Sequence, residues 1–259
     1  MSLEKTIIFI RHANREPIAI FKEIHIDYDI LTSRLIDLMK DPSQAQLIEK
    51  GRENASAFGE VIRKKHGENF KLFSSPVKRC QDTIYHLTNR TDIVVDDVFR
   101  FSVSKIFKKN YTLSNYAVET MGNSTNLRQY ISTNLGVSFE EPLDFYYIYS
   151  SLKCYEDMGV NLNNYITPII REIFCAETVN LYNDFFDRYA ETNRKHMMDV
   201  LNSLPNESSI VCTHDHLIFA LAKCYTKKKL CLPEYLSNIR FEYFSNGTIK
   251  IYYDDVELN

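Results

Sequence analysis

The first hydrophobic feature of the chain is an unbroken run of apolar or β-branched residues, Thr6-Ile7-Ile8-Phe9-Ile10, which gives way abruptly to the polar and basic stretch Arg11-His12-Ala13-Asn14-Arg15-Glu16-Pro17. A run of that kind predicts a strand covered on both faces, as in an α/β sheet. Two later stretches repeat the arrangement. Phe70-Lys71-Leu72-Phe73-Ser74-Ser75 predicts a short strand, after which Pro76 is placed to open a helix with Arg79 in its first turn. Ser208-Ser209-Ile210-Val211-Cys212-Thr213 predicts a buried strand running into His214-Asp215, and Leu217-Ile218-Phe219-Ala220-Leu221-Ala222 then reads as an apolar helix. Between the first two strands, Ala55, Phe58, Val61 and Ile62 recur at helical spacing on one face, and Lys65-His66-Gly67 suits the helix's carboxyl end. Near the end of the chain, Arg240 to Phe244 and Thr248 to Tyr253 flank Ser245-Asn246-Gly247, which is a hairpin signal.

Strands alternating with helices predict an α/β fold with a mostly parallel central sheet flanked by helices. Residues 1–98 and 196–259 carry this pattern and form a discontinuous core. The interval 99–195 is rich in Tyr, Asn and Phe and is expected to be a mainly helical insertion that caps the site. Residues 17–45 are expected to join it in shaping the substrate pocket, because specificity in such scaffolds sits on loops and insertions. Tyrosines of the insert could line a pocket, but with 17 tyrosines and 16 phenylalanines in the chain any one is more often core than substrate contact, and none is singled out.

Composition narrows the possibilities. With 259 residues, 44% of them hydrophobic, the chain can bury a sizeable core. A formal net charge of −3 supplies no global field to recruit nucleic acid or an anionic membrane, so any positive potential must be local. Lys227-Lys228-Lys229 reads as a solvated helix end. No stretch reaches the length of a membrane-spanning helix, and Met1 to Lys5 leaves no room for a signal peptide ahead of the first strand. The expectation is a soluble protein; a leader replaced by Met1-Ser2-Leu3 would instead place it in a lysosome, a vacuole or outside the cell. The six cysteines contain no Cys-x-x-Cys pair, so disulfides are not implied.

The candidate chemistry lies at the three strand ends. Arg11 and Arg15 offer forked, permanently charged donors that suit phosphate oxygens, or alternatively pair with surface carboxylates. Between them, neutral His12 has a lone pair able to attack phosphorus. Arg79, beside the free N–H groups of a helix start, is a third phosphate donor or a plain surface residue. Thr83, one turn on, reads as packing. His214 supplies a further donor and Asp215 an acid able to protonate a leaving oxygen, although alone such a pair is more often a helix cap with a neighbouring histidine.

Taken together, Arg11-His12-Ala13-Asn14-Arg15-Glu16-Pro17 and His214-Asp215 resemble the histidine phosphatase superfamily, and in particular its acid phosphatase and phytase branch, whose motif is Arg-His-Gly-x-Arg-x-Pro with a later His-Asp. The similarity extends through Leu47 to Arg52, Phe58 to Arg63, Ser74 to Arg79 and Ile239 to Tyr243; in the middle, Ile166 to Ile173 looks like a helix of the family's cap. The resemblance implies the phosphoglycerate mutase/acid phosphatase-like fold and a phosphomonoesterase in which His12 forms a phosphohistidine. Arg11, Arg15, Arg79 and His214 would bind phosphate, and Asp215 would serve as proton donor. It implies no metal and no cofactor. Its partners would be a phosphorylated small molecule and the inorganic phosphate product, without nucleic acid, with a homodimer possible. A phytase or inositol-phosphate phosphatase and a phosphate-binding pseudoenzyme are the alternatives.

Three positions depart from the family's pattern. Ala13 stands where glycine is usual, at a carbonyl expected to orient the nucleophile; it costs little at negative φ and adds strain at positive φ. Phe73 stands where acid phosphatases usually carry arginine, which brings Phe73 to Pro76 closer to the phosphoglycerate mutase branch. His216 stands where a small hydroxyl residue is usual, as a substrate-shaping or simply a packed side chain. Cysteine phosphatase chemistry is disfavoured because no cysteine is followed six residues later by arginine.

Overall fold

The computed structural model describes residues 2–17, 41–100, 132 and 144–258. The apolar run at the start forms strand β1 (Leu3–Arg11), with Ile7 to Ile10 at most 2% exposed, as a strand covered on both faces must be. It is followed by helix α1 (Glu49–His66), strand β2 (Lys71–Ser74), helix α2 (Lys78–Thr88) and strand β3 (Ile93–Val95). Helices α3 (Asp144–Asp157) and α4 (Pro168–Asn202) come next. Strand β4 (Ser209–Thr213), helix α5 (Asp215–Lys223) and strands β5 (Asn238–Phe244), β6 (Ile249–Tyr253) and β7 (Val256–Glu257) complete the order.

The seven strands form one sheet in the order β3-β2-β4-β1-β5-β6-β7. Strands β3, β2, β4 and β1 run parallel, whereas β5, β6 and β7 add an antiparallel edge, so the expected parallel sheet is the half that holds the three strand ends and the whole sheet is mixed. Register aligns those ends. Arg11 pairs with Thr213 across β1 and β4, and Ser74 with Cys212 across β2 and β4. The carboxyl ends of all three strands therefore finish together, where ligands collect in open α/β sheets.

The helix after β1 packs differently from its apolar pattern. Its buried stripe is Gly51, Ala55, Gly59 and Ile62, while Phe58 is partly buried and Val61 is 55% exposed. The small residues set this face, because they let backbone approach that a large side chain would hold away. A Cβ on Gly59 would stand 1.9 Å from the carbonyl oxygen of Leu87 in α2, and one on Gly51 would stand 2.1 Å from that of Asn14. The helix ends as expected, in a basic last turn followed by Gly67 at φ +82°. Pro76 precedes α2 by two residues instead of opening it, and Arg79 still falls in the first turn.

The chain divides into two compact units. The first comprises Met1–Arg15, Gln46–Phe101 and Phe186–Asn259, and the second Glu16–Ala45 and Ser102–Phe185. In the second, Tyr146, Tyr155 and Tyr182 are at most 2% exposed, and the Tyr146 and Tyr182 rings lie 4.4 Å apart, so these tyrosines are core residues. The pocket-shaping expected of residues 17–45 and of the early insert falls mostly on residues outside those described. All six cysteines are free, and among the described residues no helix is long and apolar enough to cross a membrane.

Candidate active site

Each predicted site residue is carried to one place by the three strand ends. Arg11 is the last residue of β1 and His12 the next, its N–H donating to the Thr213 carbonyl at 3.0 Å. His214 and Asp215 link β4 to α5, with the His12 and His214 rings 5.6 Å apart. Arg79 comes from α2, and Arg15 is held by an isolated bridge to Leu47. All six side chains are buried, between 2% and 9% exposed, and all belong to the first unit.

His12 is fixed by its neighbour. Its Nδ1 lies 2.9 Å from the Ala13 carbonyl oxygen, and since a carbonyl can only accept, Nδ1 carries the hydrogen and Nε2 keeps the lone pair. Burial, reinforced by Arg79, Arg11, His214 and Arg15, pushes the imidazole well below its ordinary value. His12 is thus a neutral, oriented imidazole inside a cationic pocket, as the nucleophile expected from the sequence requires. Ala13 is compatible with this role: the left-handed non-glycine residues among those described are Asn89, Leu236, Asp254 and Asp255, so alanine carries no positive-φ penalty. Its methyl group packs against Leu47, Ala55 and Leu236.

Arg11 is clamped on several sides. Its Nη1 donates to the Pro233 carbonyl at 2.6 Å, its Nη2 lies 3.2 Å from Asp215 Oδ2, and its guanidinium stacks 4.4 Å from the Tyr235 ring. Arg79 is pushed down to about 10, first by burial and then by Arg15, and it therefore stays charged at neutral pH. Gathering three guanidinium groups is unfavourable in itself, and a dianion bound among them would relieve it.

Several further residues support the site. Thr83, expected to be packing, accepts from Ala13 N–H at 3.0 Å and donates to the Arg79 carbonyl at 2.7 Å. Ser75 Oγ lies 3.0 Å from His214 Nε2 and fixes that ring. Tyr235 places its ring 5.9 Å from His12. His216 bonds to Asp215: Nδ1 lies 2.6 Å from Oδ1, and its backbone N–H donates to the same oxygen at 2.8 Å. The departure at Phe73 puts no donor at the site, since that ring packs on Phe99 at 5.9 Å.

Residues 7–100 match the family model described as histidine phosphatase superfamily (branch 1), a span that includes Arg11, His12, Arg15 and Arg79. No curated protein matches the sequence. Similar solved structures include the phytase from Citrobacter braakii, with 14% identity, 98% of this chain and 85% of that one covered, and a TM-score of 0.61. The Hafnia alvei phytase has 10% identity, 96% and 83% coverage and a TM-score of 0.59. A multiple inositol polyphosphate phosphatase from Bifidobacterium longum, in complex with inositol hexasulfate, has 8% identity, 99% and 87% coverage and a TM-score of 0.57. At these identities the likeness is one of fold.

Proposed function

We propose that the chain is a member of the histidine phosphatase superfamily, whose family model matches residues 7–100, and that it hydrolyses phosphate monoesters in the manner of an acid phosphatase, through a phosphohistidine on His12. Nε2 of His12 attacks phosphorus as the ester P–O bond breaks, and Asp215 gives its proton to the departing oxygen. Water then attacks phosphorus, yields its proton to Asp215 and releases inorganic phosphate, restoring the imidazole lone pair. Arg11, Arg15, Arg79 and His214 hold the phosphoryl oxygens and meet the charge that develops on them. These cations supply the stabilisation that a metal ion gives elsewhere, so turnover is expected to persist in chelator.

One observation carries the reading: the Nδ1 contact with the Ala13 carbonyl leaves Nε2 of a neutral His12 unprotonated in a cluster of arginines. Because burial and the arginines keep His12 neutral well below pH 6.5, the nucleophile stays competent in mildly acidic solution. Inositol phosphates are the first substrates to try, since phytases and an inositol polyphosphate phosphatase share the fold.

The test is phosphate release from a panel of esters, with rapid quench into base to trap an alkali-stable phosphohistidine. His12→Ala should abolish both release and the trapped adduct; unchanged turnover in that variant would overturn the mechanism. Asp215→Asn should slow alkyl phosphates far more than p-nitrophenyl phosphate, whose leaving group needs little protonation.

A further inference from the structure

Asp215 presents two different oxygens. Oδ1 is engaged twice by His216, through the backbone N–H at 2.8 Å and ring Nδ1 at 2.6 Å. Oδ2 faces Arg11 Nη2 at 3.2 Å, on the side where His12 and the arginines gather. An acid that delivers a proton to one leaving oxygen gains from having one defined proton-bearing oxygen, because a carboxyl free to rotate presents either. The geometry points to His216 as a positioning residue for Asp215: its Nδ1–H holds Oδ1 as an acceptor, so that the transferable proton resides on Oδ2.

This assignment rests on the phosphatase reading for its kinetic consequence. In the first step the ester P–O bond breaks while the Nε2–P bond to His12 forms, and the leaving oxygen takes the proton from Oδ2. The carboxylate left behind keeps its bonds from His216 and Arg11. In the second step water's proton returns to Oδ2 as its oxygen bonds to phosphorus and the Nε2–P bond breaks.

Packing alone gives no reason for the polar edge. The ring's apolar neighbour is Phe186 in α4, with centroids 5.8 Å apart, and a phenylalanine would serve that contact. Charged and titratable groups facing the pair include Arg11 at the end of β1, Arg79 in α2 and Tyr253 in β6. These stay in place when residue 216 is changed, so a change at that residue isolates its own effect on the carboxyl.

The experiment compares the parent with His216→Phe and His216→Asn. Removing an N–H that stabilises the carboxylate makes the proton harder to lose. His216→Phe should therefore move the basic limb of kcat/KM for an alkyl phosphate upward by about one pH unit. The same variant should slow alkyl phosphates more than p-nitrophenyl phosphate. His216→Asn, whose side-chain N–H can replace Nδ1–H, should bring the limb back toward the parent, and far-ultraviolet circular dichroism establishes that each variant is folded. The carboxyl is also titrated directly by carbon-13 NMR, with Asp215→Asn identifying the resonance, and its midpoint should rise in His216→Phe. An unmoved limb or an unmoved midpoint overturns the assignment. If no protein in the set hydrolyses any ester, the phosphatase reading falls while the NMR titration still decides the role of His216.

Discussion

Thr83 accepts from the N–H of Ala13 and donates to the carbonyl of Arg79, so one buried hydroxyl ties the loop that carries His12 to the helix that carries Arg79. Thr83→Val keeps the shape and leaves the Ala13 N–H buried without that acceptor, at a cost of about 1–3 kcal/mol. Urea unfolding should register the loss and kcat should fall, whereas Thr83→Ser should retain both. His12 makes a signed prediction of its own. Its folded value is depressed, so between pH 6.5 and that lower value the unfolded chain binds a proton that the folded chain does not. Stability contributed by this difference is present in full above pH 6.5 and is lost as pH falls, by at most about 1.4 kcal/mol per pH unit. The parent should therefore lose more stability than His12→Asn between pH 7 and pH 5; equal losses would place the imidazole in an ordinary environment. Other histidines cancel in that comparison. The ionisable members of the site, Arg11, His12, Arg15 and Asp215, were legible because their side-chain chemistry is itself the signal. Thr83, Ser75 and Tyr235 were not, because a hydroxyl or a ring acquires its task only from the atoms that folding sets against it.

Helix α1 touches both the site and the structure behind it through glycines, and the two contacts separate function from stability. A Cβ on Gly51 would meet the carbonyl oxygen of Asn14, whose oxygen also accepts from Ile48 N–H, so Gly51→Ala must displace the loop that carries His12 or the helix start. A Cβ on Gly59 would meet the Leu87 carbonyl oxygen between α1 and α2. Both substitutions force backbone apart, which typically costs about 1–3 kcal/mol or more. Only the first acts next to His12. Gly51→Ala is expected to lower kcat beyond any loss in folded fraction, and Gly59→Ala to lower the melting temperature while the folded enzyme keeps near-parent kcat. Kinetics well below each variant's melting temperature, normalised to active protein, check the contrast. The same helix marks where periodicity failed. Apolar spacing placed Val61 on the buried face, yet the face is chosen by how closely backbone can approach, and glycine and alanine allow that approach without adding hydrophobicity.

Across the whole chain, the site exists only when distant segments pair. Ile8 lies beside Ile210 and Leu72 beside Ile210 on the other side, so β4 is inserted between two strands that precede it by well over a hundred residues. Each strand was legible from its apolar run, and their meeting was inferable because three polar strand ends carried complementary chemistry. The antiparallel edge β5-β6-β7 was seen only as a hairpin, since nothing in an alternating pattern states which neighbour a strand will join. This construction makes anion binding a test of the folded sheet itself. Arg11 and Arg15 stand on one segment, Arg79 on a second and His214 on a third, close enough that Arg15 and Arg11 depress Arg79 and all three arginines depress His12. A dianion that engages all three segments stabilises only the state in which they are assembled. Inorganic phosphate should therefore raise the melting temperature, with a gain of about 2.7 kcal/mol when its concentration is one hundred times the dissociation constant. Chloride at matched ionic strength controls for general screening. Arg79→Gln should shrink the phosphate-dependent shift, and because one preplaced donor is lost it should lower kcat by roughly a hundredfold. Equal shifts with phosphate and chloride, or an Arg79→Gln variant stabilised as much as the parent, would mean that the cluster does not hold the anion.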